Sequence, residues 1–161
     1  MADMSGPAVA VIGCGNPLRG DDGAGPAVIA RLARMGLPEN VGLFDAGTDG
    51  MAVMYRARGA QRLIIIDARE PEGAPGAVFE VPGDALEAEP THGVGLHAFR
   101  WDHALFVGRK IYRETFPKMV EVYLIEAGSL DYATGLSASV AKAADLVAER
   151  IAARLAVADT R

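Results

Sequence analysis

Five short apolar runs, at residues 8–12, 41–44, 63–66, 77–81 and 120–125, punctuate a chain of 161 residues. Runs of this length read as strands rather than helices. The two around Val11 and Ile65 are almost wholly apolar, the pattern of strands covered on both faces. Helical periodicity lies between the runs. Val28, Leu32 and Met35 share one face of a helix over 26–35, which Gly36 and Pro38 end. A second helix is expected from Thr48 as N-cap to Gly59, and a third over 137–156, where Val140, Ala144, Val147, Ile151 and Leu155 form an apolar stripe. Residues 94–110 are a further helical candidate, weakened by Gly95 and Gly108. Strands alternating with helices predict an α/β fold, a three-layer sandwich whose mainly parallel sheet carries helices on both faces. The stretches 70–76 and 80–90, rich in Pro, Gly and acids, read as surface loops. With no repeat or linker, residues 1–161 are expected to form a single domain.

Half of the residues are hydrophobic, enough for a core without cross-links, and the lone Cys14 excludes both an internal disulfide and a multi-cysteine zinc site. Sixteen basic against 21 acidic residues give a formal charge of −5, which disfavours a general nucleic-acid binder. The opening residues lack the basic start of a signal peptide and the length of a membrane span, so a cytoplasmic protein is expected, with no nucleic-acid or membrane partner.

In open α/β sheets ligands bind beyond the carboxyl ends of the strands. Acids recur there: Asp45, Asp67 and Glu126 follow apolar runs, and Asp21-Asp22 follow the Gly13-Cys14-Gly15-Asn16 turn. An acid delivered by a buried strand is costly without a donor or cation, and a shared cation would relieve the repulsion among several. Each acid also has a plain structural reading. Asp21 or Asp22 can cap the next helix. Asp45 can accept N–H groups of the turn that follows it, and Arg69 can pair with Asp67. Among the histidines, His92 lies in a loop context suited to a ligand or general base, whereas His97 and His103 read as surface or helix positions. Two carboxylates and an imidazole suit zinc, nickel, iron or manganese. The Gly13-x-Gly15 turn is not a dinucleotide fingerprint. Leu18 stands at the third glycine position, and Asp21 and Asp22 would repel phosphate.

The ordered set Gly13-x-Gly15-Asn16 with Asp21-Asp22-Gly23-x-Gly25, Asp45-Ala46-Gly47-Thr48-x-Gly50, the strand ending in Asp67-Ala68, Thr91-His92-Gly93 and Gly135-Leu136-Ser137 resembles the [NiFe]-hydrogenase maturation endopeptidases over most of the chain. Ala46 and Gly93 depart from the usual residues of that pattern. The resemblance implies that Asp22, Asp67 and His92 are at once the metal ligands and the catalytic residues. It also implies that the metal is nickel brought by the substrate, with no organic cofactor. The implied partner is the hydrogenase large-subunit precursor, whose C-terminal extension a monomeric enzyme removes after nickel insertion. The metal can then polarise the scissile carbonyl or activate water, or Asp22 or Asp67 can act as general base. A non-hydrolytic precursor-binding or metal-sensing chaperone with the same ligands is the alternative. The segment 97–116, with Arg100, Trp101, His103 and Arg109, matches no motif of the family and is read as a region of substrate recognition.

Overall fold

A computed structural model describes residues 6–86 and 100–159. Five strands, β1 (Val9–Cys14), β2 (Val41–Gly47), β3 (Arg62–Arg69), β4 (Val78–Pro82) and β5 (Met119–Glu126), build one sheet in the order β2-β1-β3-β5-β4. All neighbours run parallel except β4, an antiparallel edge strand on β5. Each expected apolar run falls on its own strand, with Ala8 and Ala77 one residue ahead of β1 and β4.

Side chains alternate along a strand, so each buried strand feeds two cores. Val11, Ile64, Ile66 and Ile125 pack under α1 (Ala24–Leu32) and α4 (Ala138–Asp159). Ala10, Ile12, Leu63 and Ile65 pack under α2 (Gly50–Ala57) and α3 (Trp101–Tyr112). The result is the three-layer α/β sandwich that the alternating pattern predicts. Among the described residues no helix is long and apolar enough to cross a membrane.

Local differences have identifiable causes. The N-cap of α2 is Asp49 rather than Thr48, because the Asp49 carboxylate accepts from Met51 N at 2.9 Å and Ala52 N at 3.3 Å. Glu80 and Val81, shared between the expected strand and the expected loop, and Pro82, expected in the loop, complete β4, and Gly83–Leu86 form a 3-10 turn; the rest of the expected 80–90 loop lies outside the described residues. Helix α3 runs through Gly108 despite its low propensity. A Cβ there would sit 2.4 Å from the Phe116 ring, so the glycine lets that ring pack against the helix.

One close approach positions the site. A Cβ on Gly25 would lie 2.2 Å from Cys14 O and 2.6 Å from Ile66 O, so the first turn of α1 rests directly on the backbones of β1 and β3. The turn before α1 is thereby held over the carboxyl ends of those two strands.

Candidate active site

From β1 the chain crosses to β2 on one side, then returns to place β3 on the other. The carboxyl ends of β1 and β3 therefore flank a topological switch point, where crossovers diverge and leave a crevice. A cleft of about 420 Å³ opens there, lined among others by Cys14, Asp22, Asp67, Arg100 and Trp101.

Asp22 reaches the cleft through a 3-10 turn, Gly20–Gly23, folded back over the end of β1. Gly15 allows that fold. Its φ is +129°, and a Cβ there would stand 1.9 Å from the Asp22 carbonyl oxygen. The Asp22 carboxylate accepts from Asn16 N at 2.8 Å, which leaves most of its lone pairs for a ligand. Neither Asp22 nor Asp21 caps α1, whose N-cap is Gly23 with no side-chain hydrogen bond. Asp21 turns into the protein instead and accepts from Gly128 N, Ser129 N, Ser137 N and Ser137 Oγ–H. The two adjacent acids thus have different employment, and Asp22 is the one on the cleft.

Asp67 follows from strand parity. Leu63 and Ile65 belong to the α2/α3 core, so Asp67 projects on the same side, at the level where α3 begins. It is only 7% exposed. Its Oδ1 accepts from Ala68 N at 2.8 Å, and its Oδ2 lies 3.8 Å from Arg100 Nη2. Burial pushes its pKa up to about 7, with Asp22 adding to the rise, while the Ala68 N–H, Arg100 and the Trp101 indole work against it. A carboxyl poised there is partly ionised at neutral pH and suited to exchange protons. Arg69, the alternative structural partner for Asp67, instead meets Glu72 at 2.7 Å.

The other strand-end acids are committed to the backbone. Asp45 accepts from Gly47 N at 2.9 Å, the turn arrangement its sequence suggested, and the buried Glu126 accepts from Ala74 N. Among these acids, Asp22 and Asp67 are therefore the carboxylates left on the cleft for a shared cation. Among the described residues no three His, Cys, Asp or Glu side chains are grouped to hold a metal, and His92 and His97 lie outside those residues. The pair offers two hard oxygen donors, which fits the carboxylate half of an O,O,N set. His103 is a buried residue of α3 beside Asp102 and does not line the cleft. Cys14 does line it, but burial, then the nearby Asp67 and Asp45, drive its thiol pKa far up, so it is no nucleophile. Arg100 and Trp101 are the cleft residues that periodicity did not single out. They start a helix whose approach to Asp67 exists only in the folded chain.

Over residues 26–154 the chain matches the family model described as hydrogenase maturation protease. It belongs to that family. A protein of Methanocaldococcus jannaschii named for hydrogenase maturation is 31% identical over 150 residues, covering 89% of this chain and 93% of the relative. The structure of the hydrogenase-maturating endopeptidase HybD from Escherichia coli superposes with a TM-score of 0.78 at 26% identity, over 93% of each chain. A hydrogenase 2 maturation peptidase from a Thaumarchaeota archaeon gives 0.68 at 29% identity, over 92% of this chain and 97% of that one. This member of the maturation proteases is accordingly a peptide hydrolase with the fold of its family.

Proposed function

We propose that this protease removes the C-terminal extension of a [NiFe]-hydrogenase large-subunit precursor once nickel has been inserted. The observation that carries the reading is the convergence of Asp22 and Asp67, from two separate strand ends, on one cleft at the switch point of a maturation-protease fold. The nickel is part of the substrate. Asp22 and Asp67, with His92 as the third ligand that the family resemblance implies, would meet it when the precursor docks. Metal contact would anchor the precursor and draw electrons from the scissile carbonyl. On this reading the enzyme is a cytoplasmic monomer of one domain over 1–161 and holds no organic cofactor of its own.

Peptide hydrolysis adds water across the C–N bond. Where Asp67 is not tied to the metal, its raised pKa suits it to take the proton that the attacking water loses and to return it to the leaving amine. The test is incubation of the purified chain with nickel-loaded and nickel-free precursor, followed by intact-mass measurement. Loss of one C-terminal peptide from the nickel-loaded form alone is the expected result. Trimming that ignores nickel removes the recognition role of the metal. Binding without any trimming favours a precursor chaperone, and trimming that survives both Asp67→Ala and His92→Ala removes the site assignment.

A further inference from the structure

Arg100 and Trp101 carry more than a place in the cleft wall. Arginines in this chain close on their carboxylates where they can: Arg62 meets Glu121 and Arg69 meets Glu72, each at 2.7 Å. Arg100 stops 3.8 Å short of Asp67, beyond hydrogen-bond range, with its side chain 53% exposed. Among the described residues its guanidinium makes no hydrogen bond, although five N–H donors are available. Beside it the Trp101 indole N–H, in a residue only 8% exposed, is near enough to Asp67 to help hold its pKa down but does not complete a hydrogen bond. The half-exposed guanidinium is accessible to solvent and open to an incoming acceptor, whereas the buried indole N–H is a costly donor to leave incompletely met. The other cation of the cleft is committed, since Arg19 donates to Leu130 O at 3.1 Å and stacks 5.1 Å from the Tyr132 ring centroid. Asp22, Asp67 and Glu70 on the same cleft would repel a developing negative charge.

We propose that Arg100 forms the subsite for the carbonyl oxygen of the scissile peptide bond and donates to it as it becomes an oxyanion. The inference rests on the hydrolytic reading above. Water oxygen bonds to the carbonyl carbon, and the C=O π pair moves onto oxygen as the negative charge that Arg100 faces. When that pair returns, the C–N bond breaks with its electrons on nitrogen, which takes up the proton water gave away. Because the charge exists only near the transition state, Arg100 acts on kcat rather than on KM. The indole N–H, facing Asp67 without completing a hydrogen bond, lies on the same wall as Arg100.

The experiment compares wild type, Arg100→Gln and Arg100→Lys on nickel-loaded precursor, with thermal unfolding as the control for folding. Arg100→Gln is expected to lower kcat about 100-fold or more, to leave KM nearly unchanged, and to lose the same factor from about pH 6 to about pH 9. Arg100→Lys should recover part of the rate. Activity of Arg100→Gln within about threefold of wild type, or a loss that vanishes at alkaline pH, overturns the proposal; the second result would make Arg100 only a counter-ion that keeps Asp67 charged. Should wild type cleave no precursor, the hydrolytic reading fails by itself, and the subsite is judged separately. Trp101 is the one tryptophan of the chain, so its indole N–H gives a single NMR signal. Titration with acetate, whose carboxylate supplies an anionic oxygen, should shift that signal in wild type and leave it in place in Arg100→Gln. An unmoved wild-type signal overturns the subsite.

Discussion

The Asp21 carboxylate accepts two hydrogen bonds from Ser137, from its N–H at 2.7 Å and its hydroxyl at 2.8 Å, across 116 residues of sequence. Gly128 N and Ser129 N add two more, at 2.8 and 3.3 Å. One buried acid thus ties the loop after β1 to the loop after β5, both on the rim of the cleft. Burial works to raise its pKa, but the donors from Ser137, Gly128 and Ser129 outweigh it, and the value falls below the ordinary 3.8. A carboxylate held lower in the folded than in the unfolded chain contributes stability that is full above the unfolded value and lost as pH falls through the folded one. Asp21→Asn puts an amide against some of these donors. It should cost about 3 kcal/mol at neutral pH and lower Tm by roughly 10 °C. Urea titrations from about pH 2 to about pH 7 should also show a flatter acid limb in the variant; equal slopes in both proteins would mean the four bonds contribute nothing net.

Asp67 has the opposite sign. Its pKa stands near 7 in the folded chain against 3.8 unfolded. Below pH 3.8 both states hold the proton. Between the two values the folded state keeps a proton that the unfolded state has released, so stability falls as pH rises through the window and levels off above it. In chelator-treated protein, Asp67→Asn should therefore be stabilising, by about 2 kcal/mol at pH 8, or roughly 5 °C in Tm, with no gain near pH 4. The same variant should lose precursor cleavage by at least about 100-fold. Calorimetry at the two pH values checks the first half, and a stability loss at pH 8 would show that the burial of the charge is offset by contacts of its own.

The approach of α1 to the sheet makes Gly25→Ala a steric test. The new methyl would meet the backbone oxygens of Cys14 and Ile66, neither of which can swing aside. Gly36 is the control, with φ +64° and open space around its Cβ position. Gly36→Ala should cost about 1–2 kcal/mol from backbone strain alone. Gly25→Ala should cost more than about 3 kcal/mol and disturb the cleft as well, since the turn carrying Asp22 hangs from that helix. Thermal melts of the two variants side by side decide it.

Much of this arrangement could be read before folding, and the remainder could not for definite reasons. Near-continuous apolar runs at Val11 and Ile65 imply two-sided burial, and period-2 alternation then delivers Asp67 to one face of the carboxyl edge. The roles of Asp21 and Asp22 were not separable in sequence, because what distinguishes them is a set of donors more than a hundred residues away. Thr48 is the cap the sequence suggests, and the helix starts one residue later, on Asp49. Arg100 carried no pattern, as its meaning comes from where α3 starts relative to β3. The third expected ligand, His92, lies outside the described residues, so its part in the site rests on the family resemblance.

Cys14 offers a test of the chemistry itself. It lies on the cleft wall, one residue before the Gly15 turn, where a thiol nucleophile would be well placed if it could ionise. Its burial and its acidic neighbours hold it protonated, and a protonated thiol neither attacks carbonyls nor alkylates readily. Iodoacetamide should leave the native chain unmodified at pH 8 over a period that labels it fully in denaturant. Cys14→Ala removes one buried sulfur from the α2/α3 core and should cost about 1 kcal/mol. It should retain precursor cleavage within about threefold. A folded Cys14→Ala protein that binds precursor but no longer cuts it would assign the nucleophile to sulfur, and the carboxylate mechanism would have to be abandoned.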